Sequence, residues 1–302
     1  MVAVIRNQVE SVLRKYKDFY TDKNLDSLNI LRSAFLREKT LVIEFCFPYP
    51  IKGLVQKIID LLEPDLKNLT GALDISFKIT HEIKRVPARE GTEAIPDVKQ
   101  VICIASGKGG VGKSTVTANL ALALSLEGAR VGLLDADIYG PSQAMIFGVQ
   151  GQRPGTQDGK TFIPIRAHGL DLMSMAFLLT EKTPTIWRGP MVSSAFSQML
   201  KQTKWDNLDY LLIDLPPGTG DIQLTLSQKV PVNGSIIVTT PQDIALLDAR
   251  RGIEMFKKVN VPVLGILENM SFHKCLKCGE ISHVFGQSGG ERIVSEYDSV
   301  LL

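Results

Sequence analysis

The chain has 302 residues, of which 44% are hydrophobic and 22% are charged, a balance typical of globular proteins and not of extended disorder. Lys and Arg number 34 against 32 Asp and Glu, so the net charge of +2 gives no electrostatic reason to expect nucleic-acid or membrane binding. Because the amino terminus lacks the apolar run of a secretory signal, and no stretch has the roughly 18 apolar residues of a membrane helix, we expect a cytoplasmic protein.

The first part of the chain, residues 1–85, predicts a small α+β domain. Its pattern changes between helical spacing of apolar residues and β-prone alternation. The predicted elements are a helix over 5–19, strands over 28–35 and 40–47, a helix over 51–62 and a strand over 73–80. Cys46 stands alone in the second of these strands, and we interpret it as a buried strand cysteine.

Residues 86–97 predict a linker, because prolines, a glycine and charges follow one another there without periodicity. From residue 98 to residue 302 the pattern changes to near-continuous apolar strands separated by helices. This alternation indicates an α/β domain with a mostly parallel sheet that helices cover on both faces. Strands are expected at 101–106, 130–136, 170–175, 210–215, 235–240 and 263–268, and helices after Lys113, after Met191, near Asp221 and after Ile244.

A phosphate-binding loop follows the first of these strands and precedes the first helix, which is the context that the motif GxxxxGK[ST] requires. Glycines let backbone N–H groups converge on phosphate oxygens, and the helix N-terminus adds its positive end. Lys113 is expected to reach the β- and γ-phosphates and Ser114 to ligate Mg²⁺, so we predict a P-loop ATPase that binds ATP. The segment consists of Gly107, Lys108, Gly109, Gly110, Val111, Gly112, Lys113, Ser114 and Thr115.

Three carboxylates stand where a parallel sheet would bring them to the same edge as the loop. Asp135 and Asp137 follow the second strand in LLDADIYGPS, and Asp214 ends the apolar strand LLID. The carboxyl ends of parallel strands are where such sheets bind ligands. We therefore expect Asp214 in the Walker B position for Mg²⁺.

Cys275 and Cys278 form a CxxC pair, which in a reducing compartment indicates metal or redox chemistry. A stable metal site needs about four ligands, and this pair supplies two. Two copies of the chain facing each other supply four cysteines, which fits a bridging [4Fe–4S] cluster, the interpretation that we favour. The alternatives are a structural zinc site, with His273 and His283 or a second copy completing it, and a redox-active or inert dithiol.

The second lysine of the loop, Lys108, gives the segment GKGGVGKST, which resembles the deviant Walker A ATPases of the MinD/ParA-like superfamily. In that superfamily the extra lysine reaches the partner's nucleotide across a dimer interface. The resemblance implies ATP-dependent homodimerisation, with Lys108 and Lys113 both acting on phosphate. It also implies that Asp137 orients the attacking water, that Asp135 supports the metal or the loop, and that Asn269 recognises adenine.

The motifs of residues 98–302 resemble, in their order, those of the Mrp/ApbC proteins, which are iron–sulfur cluster carriers. The segments that carry this resemblance are SGKGGVGKST, LDADIYGPS, WRGPM, LIDLPPGTGDIQLTLSQ, VTTPQDIALLDARRGIEMF, VLGILENMS, CLKCG and FGQSGGE. It implies ATP hydrolysis, a [4Fe–4S] cluster between two chains, and partners that are cluster donors and apo-protein clients, without nucleic acid or membrane. We expect the hydrolysis to be slow without a partner, because the loop carries no complete water-activating set of its own. Related proteins continue past SEYDSVLL with a strand and helices, which we expect to be missing here.

Residues 1–85 resemble the MIP18-like domain that bacterial members of this family often carry. The chain has CFPYPIKG where many such domains have a PxCP turn, so no independent cluster role is expected for Cys46. Two other functions remain open. One is a positioning or partition ATPase of MinD/ParA type, which would want a basic amphipathic helix or an arginine stripe. The other is a zinc-stabilised nucleotide-binding scaffold.

Overall fold

The computed structural model describes residues 2–87, 92–178, 189–220, 223 and 230–302. The chain divides into two compact units. One consists of Met1–Lys84 with Leu126–Ala129, and the other of Arg85–Ser125 with Arg130–Leu302. The predicted helix near Asp221 lies outside the described residues. Throughout the described ranges, no helix is long and apolar enough to cross a membrane.

The first unit contains a three-stranded sheet and two helices. Its elements are α1 (Val2–Leu13), β1 (Leu31–Arg37), β2 (Thr40–Phe47), α2 (Val55–Thr70) and β3 (Asp74–His81), with short 3-10 helices at Leu25–Leu28 and Lys52–Leu54. Strand β2 lies in the middle, antiparallel to β1 and parallel to β3. Every second residue of β2, from Leu41 to Phe47, is buried, because alternate side chains of a strand point to the same face. Cys46, which we expected to be buried, lies on the other face and is half-buried.

Three predicted elements in this unit have wrong boundaries. The helix predicted over 51–62 is Val55–Thr70, because a 3-10 helix precedes it and Gly71, in the left-handed region, ends it. The helix predicted over 5–19 ends at Leu13, because the following segment turns around the buried Asp18. The Asp18 carboxylate accepts hydrogen bonds from the backbone N–H groups of Tyr20 and Thr21, at 3.1 and 2.8 Å. The strand predicted from residue 28 begins at Leu31, because the residues up to Leu28 form a 3-10 helix.

The second unit has eleven described strands, five described α-helices and a 3-10 helix at Met175–Leu178. The strands are β4 (Val98–Ala105), β5 (Val131–Asp135), β6 (Gly155–Thr156), β7 (Phe162–Ile163), β8 (Ile165–Ala167), β9 (Leu170–Ser174), β10 (Leu208–Asp214), β11 (Gly234–Thr239), β12 (Val263–Glu268), β13 (His273–Lys274) and β14 (Ile281–Ser282). The helices are α3 (Lys113–Leu126), α4 (Gln143–Ile146), α5 (Gly189–Gln202), α6 (Asp243–Lys258) and α7 (Gly289–Tyr297).

A seven-stranded sheet of order β12-β11-β4-β10-β5-β9-β8 forms the centre of this unit. All neighbouring strands are parallel except β8 and β9, and helices flank the sheet, so the predicted mostly parallel α/β fold is confirmed. Strands β5, β9 and β11 are buried along their whole length, as strands covered on both faces are. Strand β10 lies between β4 and β5, so the carboxyl ends of these three strands meet at one edge.

Candidate functional site

The glycine-rich loop joins the end of β4 to the first turn of α3. Gly110 and Gly112 have φ angles of 81° and 87°, in the left-handed region that favours glycine. Gly107 lies so close to α6 that a Cβ on it would overlap the backbone carbonyl of Asp248. The loop therefore needs glycine at these positions for its own shape and for its packing.

Lys113 and Asp214 form a buried ion pair at the centre of the site. The Lys113 ammonium donates to the Asp214 carboxylate, and its Nζ lies 3.4 Å from the Ser114 hydroxyl oxygen. The Thr117 hydroxyl donates to the same Asp214 oxygen at 3.3 Å. Lys113 is 6% exposed and Asp214 is fully buried, so both charges depend on each other for compensation.

Asp135 and Asp214 are Cα partners on the parallel strands β5 and β10, which explains why two carboxyl groups share one buried site. Asp135 accepts hydrogen bonds from the Gln143 backbone N–H and from the Ser174 hydroxyl, each at 3.1 Å. Burial in the first place, and the charge of Asp214 in the second, raise the pKa of Asp135 to about 7. Asp135 therefore exchanges its proton near neutral pH.

Asp137 follows β5 and closes a turn. Its own N–H donates to an Asp135 oxygen at 3.1 Å, and its carboxylate accepts from the N–H groups of Tyr139 and Gly140, at 3.2 and 3.1 Å. One carboxylate oxygen thus stabilises the 137–140 turn. The role of Asp137 in orienting water stays a prediction.

Gln143 is a site residue that sequence reasoning missed. Its side-chain amide donates to the Ser114 carbonyl at 3.0 Å and to the Asp214 carboxylate at 2.7 Å. The residue is fully buried, and its Oε1 has no hydrogen-bond partner among the residues that the structure describes. The sequence marks this residue only by its position, as a glutamine that follows the strand-end carboxylates of LLDADIYGPSQ.

Asn269 lies against the phosphate loop. Its side-chain amide donates to the Val111 carbonyl at 2.9 Å, and a Cβ on Gly112 would overlap that amide nitrogen. Its backbone N–H donates to the Thr239 carbonyl at 2.9 Å, which fixes the residue at the end of β12. Contact between Asn269 and adenine stays a prediction, whereas its contact with the loop is a feature of the structure.

The remaining lysine of the loop, Lys108, is half-buried and donates to the side-chain oxygen of Gln242 at 3.2 Å. Gln242 directly precedes α6. In this structure Lys108 is therefore held by a residue of its own chain. Thr115, the last residue of the predicted loop, is exposed in the first turn of α3.

The two cysteines lie on an exposed hairpin formed by β13 and β14, separate from the phosphate loop. The Cys275 N–H donates to the Glu280 carbonyl at 2.8 Å, and the Gly279 N–H donates to the Cys275 carbonyl at 2.9 Å. The backbone N–H groups of Cys278 and then Lys277, followed by the Cys278 side chain, lower the pKa of the Cys275 thiol below its ordinary value. A lower pKa favours the thiolate, the form that ligates metal.

The histidines near the hairpin are exposed, and the His283 Nδ1 lies 2.7 Å from the Ser271 carbonyl oxygen. Within the described parts of the chain, no group of three or more His, Cys, Asp and Glu side chains is arranged to hold a metal ion. The hairpin of one copy therefore presents two thiols and no third ligand from these residue types.

The residues around the loop fit a magnesium–nucleotide complex. A hydroxyl from Ser114 and carboxylates from Asp135 and Asp214 are the oxygen ligands that Mg²⁺ prefers. The unpartnered Oε1 of Gln143 belongs to the same amide that contacts Ser114 and Asp214, so a buried acceptor stands beside these ligands. The structure thus brings the loop, two predicted metal ligands and Asn269 together, and it places Cys275 on a separate hairpin six residues further along the chain.

The chain matches a known protein family and is similar to two named relatives. Residues 97–302 match the family described as ParA, NUBPL iron-transfer P-loop NTPase. The chain is 58% identical over 238 residues to the iron-sulfur cluster carrier protein of Pseudomonas fragi, covering 78% of this chain and 83% of that protein. It is 46% identical over 298 residues to the iron-sulfur cluster carrier protein of Escherichia coli K12, covering 99% of this chain and 81% of that protein.

Among solved structures, the chain is similar to a nucleotide-binding protein from Archaeoglobus fulgidus in complex with ADP. The two are 38% identical, with a TM-score of 0.61, over 68% of this chain and 80% of that one. The alignment with the Escherichia coli protein extends over nearly the whole chain and so includes the first unit.

Proposed function

Because the chain belongs to the ParA family of NUBPL iron-transfer P-loop NTPases, we propose that it is an ATP-binding and ATP-hydrolysing carrier of an iron–sulfur cluster. Two copies hold the cluster between them and transfer it to apo-proteins. The relatives from Pseudomonas fragi and Escherichia coli support this function, since both are iron-sulfur cluster carrier proteins.

One observation carries the proposal: an exposed CxxC hairpin that lacks other ligands, in a chain with a complete phosphate loop. Cys275 and Cys278 supply two thiols, and no arrangement of three metal-binding side chains occurs in the residues that the structure describes. An iron–sulfur cluster of the [4Fe–4S] type takes four thiolates. The missing pair comes from the hairpin of a second copy, so a cluster binds only where two chains pair.

The phosphate loop supplies the nucleotide half of the proposal. Lys113 and the loop N–H groups bind the phosphates of ATP, and Ser114, Asp135 and Asp214 hold Mg²⁺. The metal neutralises negative charge on the phosphates when it is bound. Lys108 acts on the nucleotide of the second copy.

Two further residues complete this half. Asp137 orients the water that attacks the γ-phosphate, through the carboxylate oxygen that its turn does not use. Asn269 recognises adenine with the amide atoms that its bond to Val111 leaves available.

A short path, made of one hydrogen bond and six residues of chain, joins the two halves. Asn269 contacts the loop at the Val111 carbonyl, and Cys275 follows it by six residues. A change in the loop on hydrolysis therefore reaches the hairpin through one side chain and a short segment. Such a change in geometry is the means by which hydrolysis alters the hold on the cluster.

The experiment is anaerobic reconstitution with iron and sulfide, read by visible absorption, by iron and sulfide content and by the mass of the complex. We expect about four irons per two chains. The double variant Cys275→Ser, Cys278→Ser should bind no cluster and keep its affinity for ATP. Cys46→Ser is the matched control, since Cys46 lies in the other unit, and it should load iron as the unmodified protein does.

Three outcomes contradict the proposal. A cluster retained by the double cysteine variant would place the ligands elsewhere. One zinc per chain without iron would indicate a zinc-stabilised nucleotide-binding scaffold. ATP-dependent pelleting with DNA or lipid vesicles, without iron binding, would indicate a positioning or partition ATPase.

A further inference from the structure

Among the described residues, the Lys108 ammonium makes one polar contact, with a residue of its own chain. Its ammonium donates to the Gln242 Oε1 at 3.2 Å, and the Thr240 hydroxyl lies 3.3 Å from the same oxygen. Both Lys108 and Gln242 are half-buried, so solvent screens the contact only in part. A hydrogen bond from an ammonium to an amide oxygen is stronger than one between neutral groups.

The side chain of Gln242 does not cap the helix that follows it. Gln242 occupies the residue before α6, with extended backbone angles of −64° and 134°, and it makes no side-chain capping bond. Its backbone carbonyl accepts the first helical hydrogen bond, from the Leu246 N–H at 3.0 Å. Glutamine is not among the residues favoured at this position. The amide oxygen is thus available to accept from Lys108 and from the Thr240 hydroxyl.

Both ends of the contact are anchored by packing. Gly107, the neighbour of Lys108, packs against the backbone of Asp248 in α6 without room for a Cβ. Pro241, the neighbour of Gln242, packs against Gly289, where a Cβ would lie 2.9 Å from the Cα of the proline. Small movements of the backbone are therefore restricted, and Lys108 leaves Gln242 by rotation of its side chain.

We propose that Gln242 is a positioning residue that holds Lys108 on its own chain until the pairing of two nucleotide-bound copies withdraws it. This inference rests on the proposed function, because it takes Lys108 to act on the nucleotide of the second copy. The two contacts of Lys108 exclude each other. The hydrogen bond to Gln242 therefore lowers the fraction of chains in which Lys108 is available to a second copy. The apparent affinity of the two copies for each other falls by that same fraction.

Two variants of Gln242 change the hold in opposite directions. Gln242→Met keeps an unbranched side chain of similar length and removes the acceptor. Gln242→Glu keeps the shape and gives the acceptor a full negative charge. We expect Met to release Lys108 and Glu to hold it more tightly.

The first measurement tests the hydrogen bond between Lys108 and Gln242 in nucleotide-free protein. The rate at which an acetylating reagent labels Lys108 is read by mass spectrometry, with the exposed Lys258 as the internal reference. We expect labelling of Lys108 to be several-fold faster in Gln242→Met and slower in Gln242→Glu, with Lys258 unchanged. A role of Gln242 in helix stability alone would lower the melting temperature and leave the Lys108 rate unaltered.

The second measurement tests the consequence for pairing. The dimer dissociation constant is measured by analytical ultracentrifugation with Mg²⁺ and the non-hydrolysable analogue β,γ-imido-ATP, on cluster-free protein under reducing conditions. We expect Gln242→Met to tighten the dimer about three- to tenfold and Gln242→Glu to weaken it by at least as much, the size typical of one hydrogen bond.

The outcomes separate this inference from the proposed function. Equal Lys108 labelling in all three proteins, or equal dimer constants despite altered labelling, would overturn the inference and leave cluster binding untouched. A wild-type protein that never pairs with nucleotide would overturn both the inference and the nucleotide-driven pairing. Iron loading, measured on separate samples, decides the carrier function independently.

Discussion

The surroundings of Asp135 oppose its negative charge. It is fully buried, and its strand partner across the sheet is Asp214, a second carboxyl group. The folded protein therefore holds a proton on Asp135 up to a pKa of about 7, although the ordinary value is 3.8. An unfolded chain releases that proton near the ordinary value. Between these two pH values the folded state binds more protons than the unfolded state, so its stability falls as the pH rises.

We predict that Asp135→Asn removes this pH dependence. Each pKa unit corresponds to about 1.4 kcal/mol, so the unfolding free energy of the variant relative to wild type should improve between pH 4 and pH 8 by on the order of 2 to 4 kcal/mol. The change with pH is the readout, because the new amide also meets the donors of Gln143 and Ser174 and shifts the curve as a whole. Urea unfolding of nucleotide-free protein at several pH values measures it.

The control is Asp158→Asn, at an exposed carboxylate whose pKa is lowered by the backbone N–H groups of Lys160 and Thr161. A lowered pKa has the opposite sign, since its stabilisation is present above the unfolded pKa and lost as the pH falls. This variant should gain nothing at pH 8. A constant offset between Asp135→Asn and wild type at every pH would show that Asp135 does not carry the raised pKa.

Only some of the side-chain contacts in the site could be predicted from the sequence. Lys113, Asp135 and Asp214 could be predicted together, because motif spacing and strand ends place them at one edge of a parallel sheet. Gln143 and Gln242 could not, because their roles depend on where a loop turns after the strand. No periodicity records such a turn.

At the scale of elements, the connection from β4 to α3 is held between two other parts of the unit. On one side Gly107 contacts α6, and on the other Asn269, from the end of β12, binds the Val111 carbonyl. The loop is therefore braced before any nucleotide binds, which reduces the ordering that binding requires.

We predict that Gly107→Ala lowers the melting temperature and that Gly109→Ala does not. A Cβ at Gly107 would overlap the backbone of Asp248, and overpacking of this kind costs about 1 to 3 kcal/mol. A Cβ at Gly109 would meet only Pro217, at 3.9 Å, and Gly109 does not have a positive φ angle. Calorimetry of the two nucleotide-free variants is the measurement. Equal melting temperatures would mean that the loop is not braced by α6.

The elements themselves were predictable to different degrees. The six predicted strands of the second unit are all present within three residues of their expected bounds, because strands buried on both faces are near-continuous apolar runs. The first helix was predicted too long, because helical spacing continues to Tyr16 while Asp18 draws the chain into a turn. Short side-chain bonds of this kind compete with a helix without altering its pattern.

At the scale of the whole molecule, the segment that carries the two cysteines is unusually apolar for an exposed surface. Its large apolar side chains are Met270, Phe272, Leu276, Ile281, Val284 and Phe285, all of them exposed. Leu276 lies between the cysteines and has no protection from solvent. A patch of this kind is typical of a surface that another protein covers. Under the proposed function, the hairpin of the second copy covers Leu276.

We predict that Leu276→Glu weakens the cluster-loaded dimer by about tenfold or more, because pairing two copies then brings like charges together at a desolvated interface. The same substitution at Leu126, an exposed leucine at the end of α3, is the matched control and should leave the dimer unchanged. Light scattering after size-exclusion chromatography over a range of protein concentrations measures both. Equal dimer constants for the two variants would place the interface elsewhere.

The hydrogen bond from Asn269 to Val111 has a consequence for how supply of one ligand governs the other. Two ligands that bias the same segment are linked reciprocally: if nucleotide changes the affinity for the cluster by some factor, the cluster changes the affinity for nucleotide by that same factor. The concentration of one nucleotide form then changes the affinity of the protein for the cluster. A bound cluster, in return, changes the affinity for that nucleotide by the same factor, so the nucleotide occupancy of the protein depends on whether it is loaded.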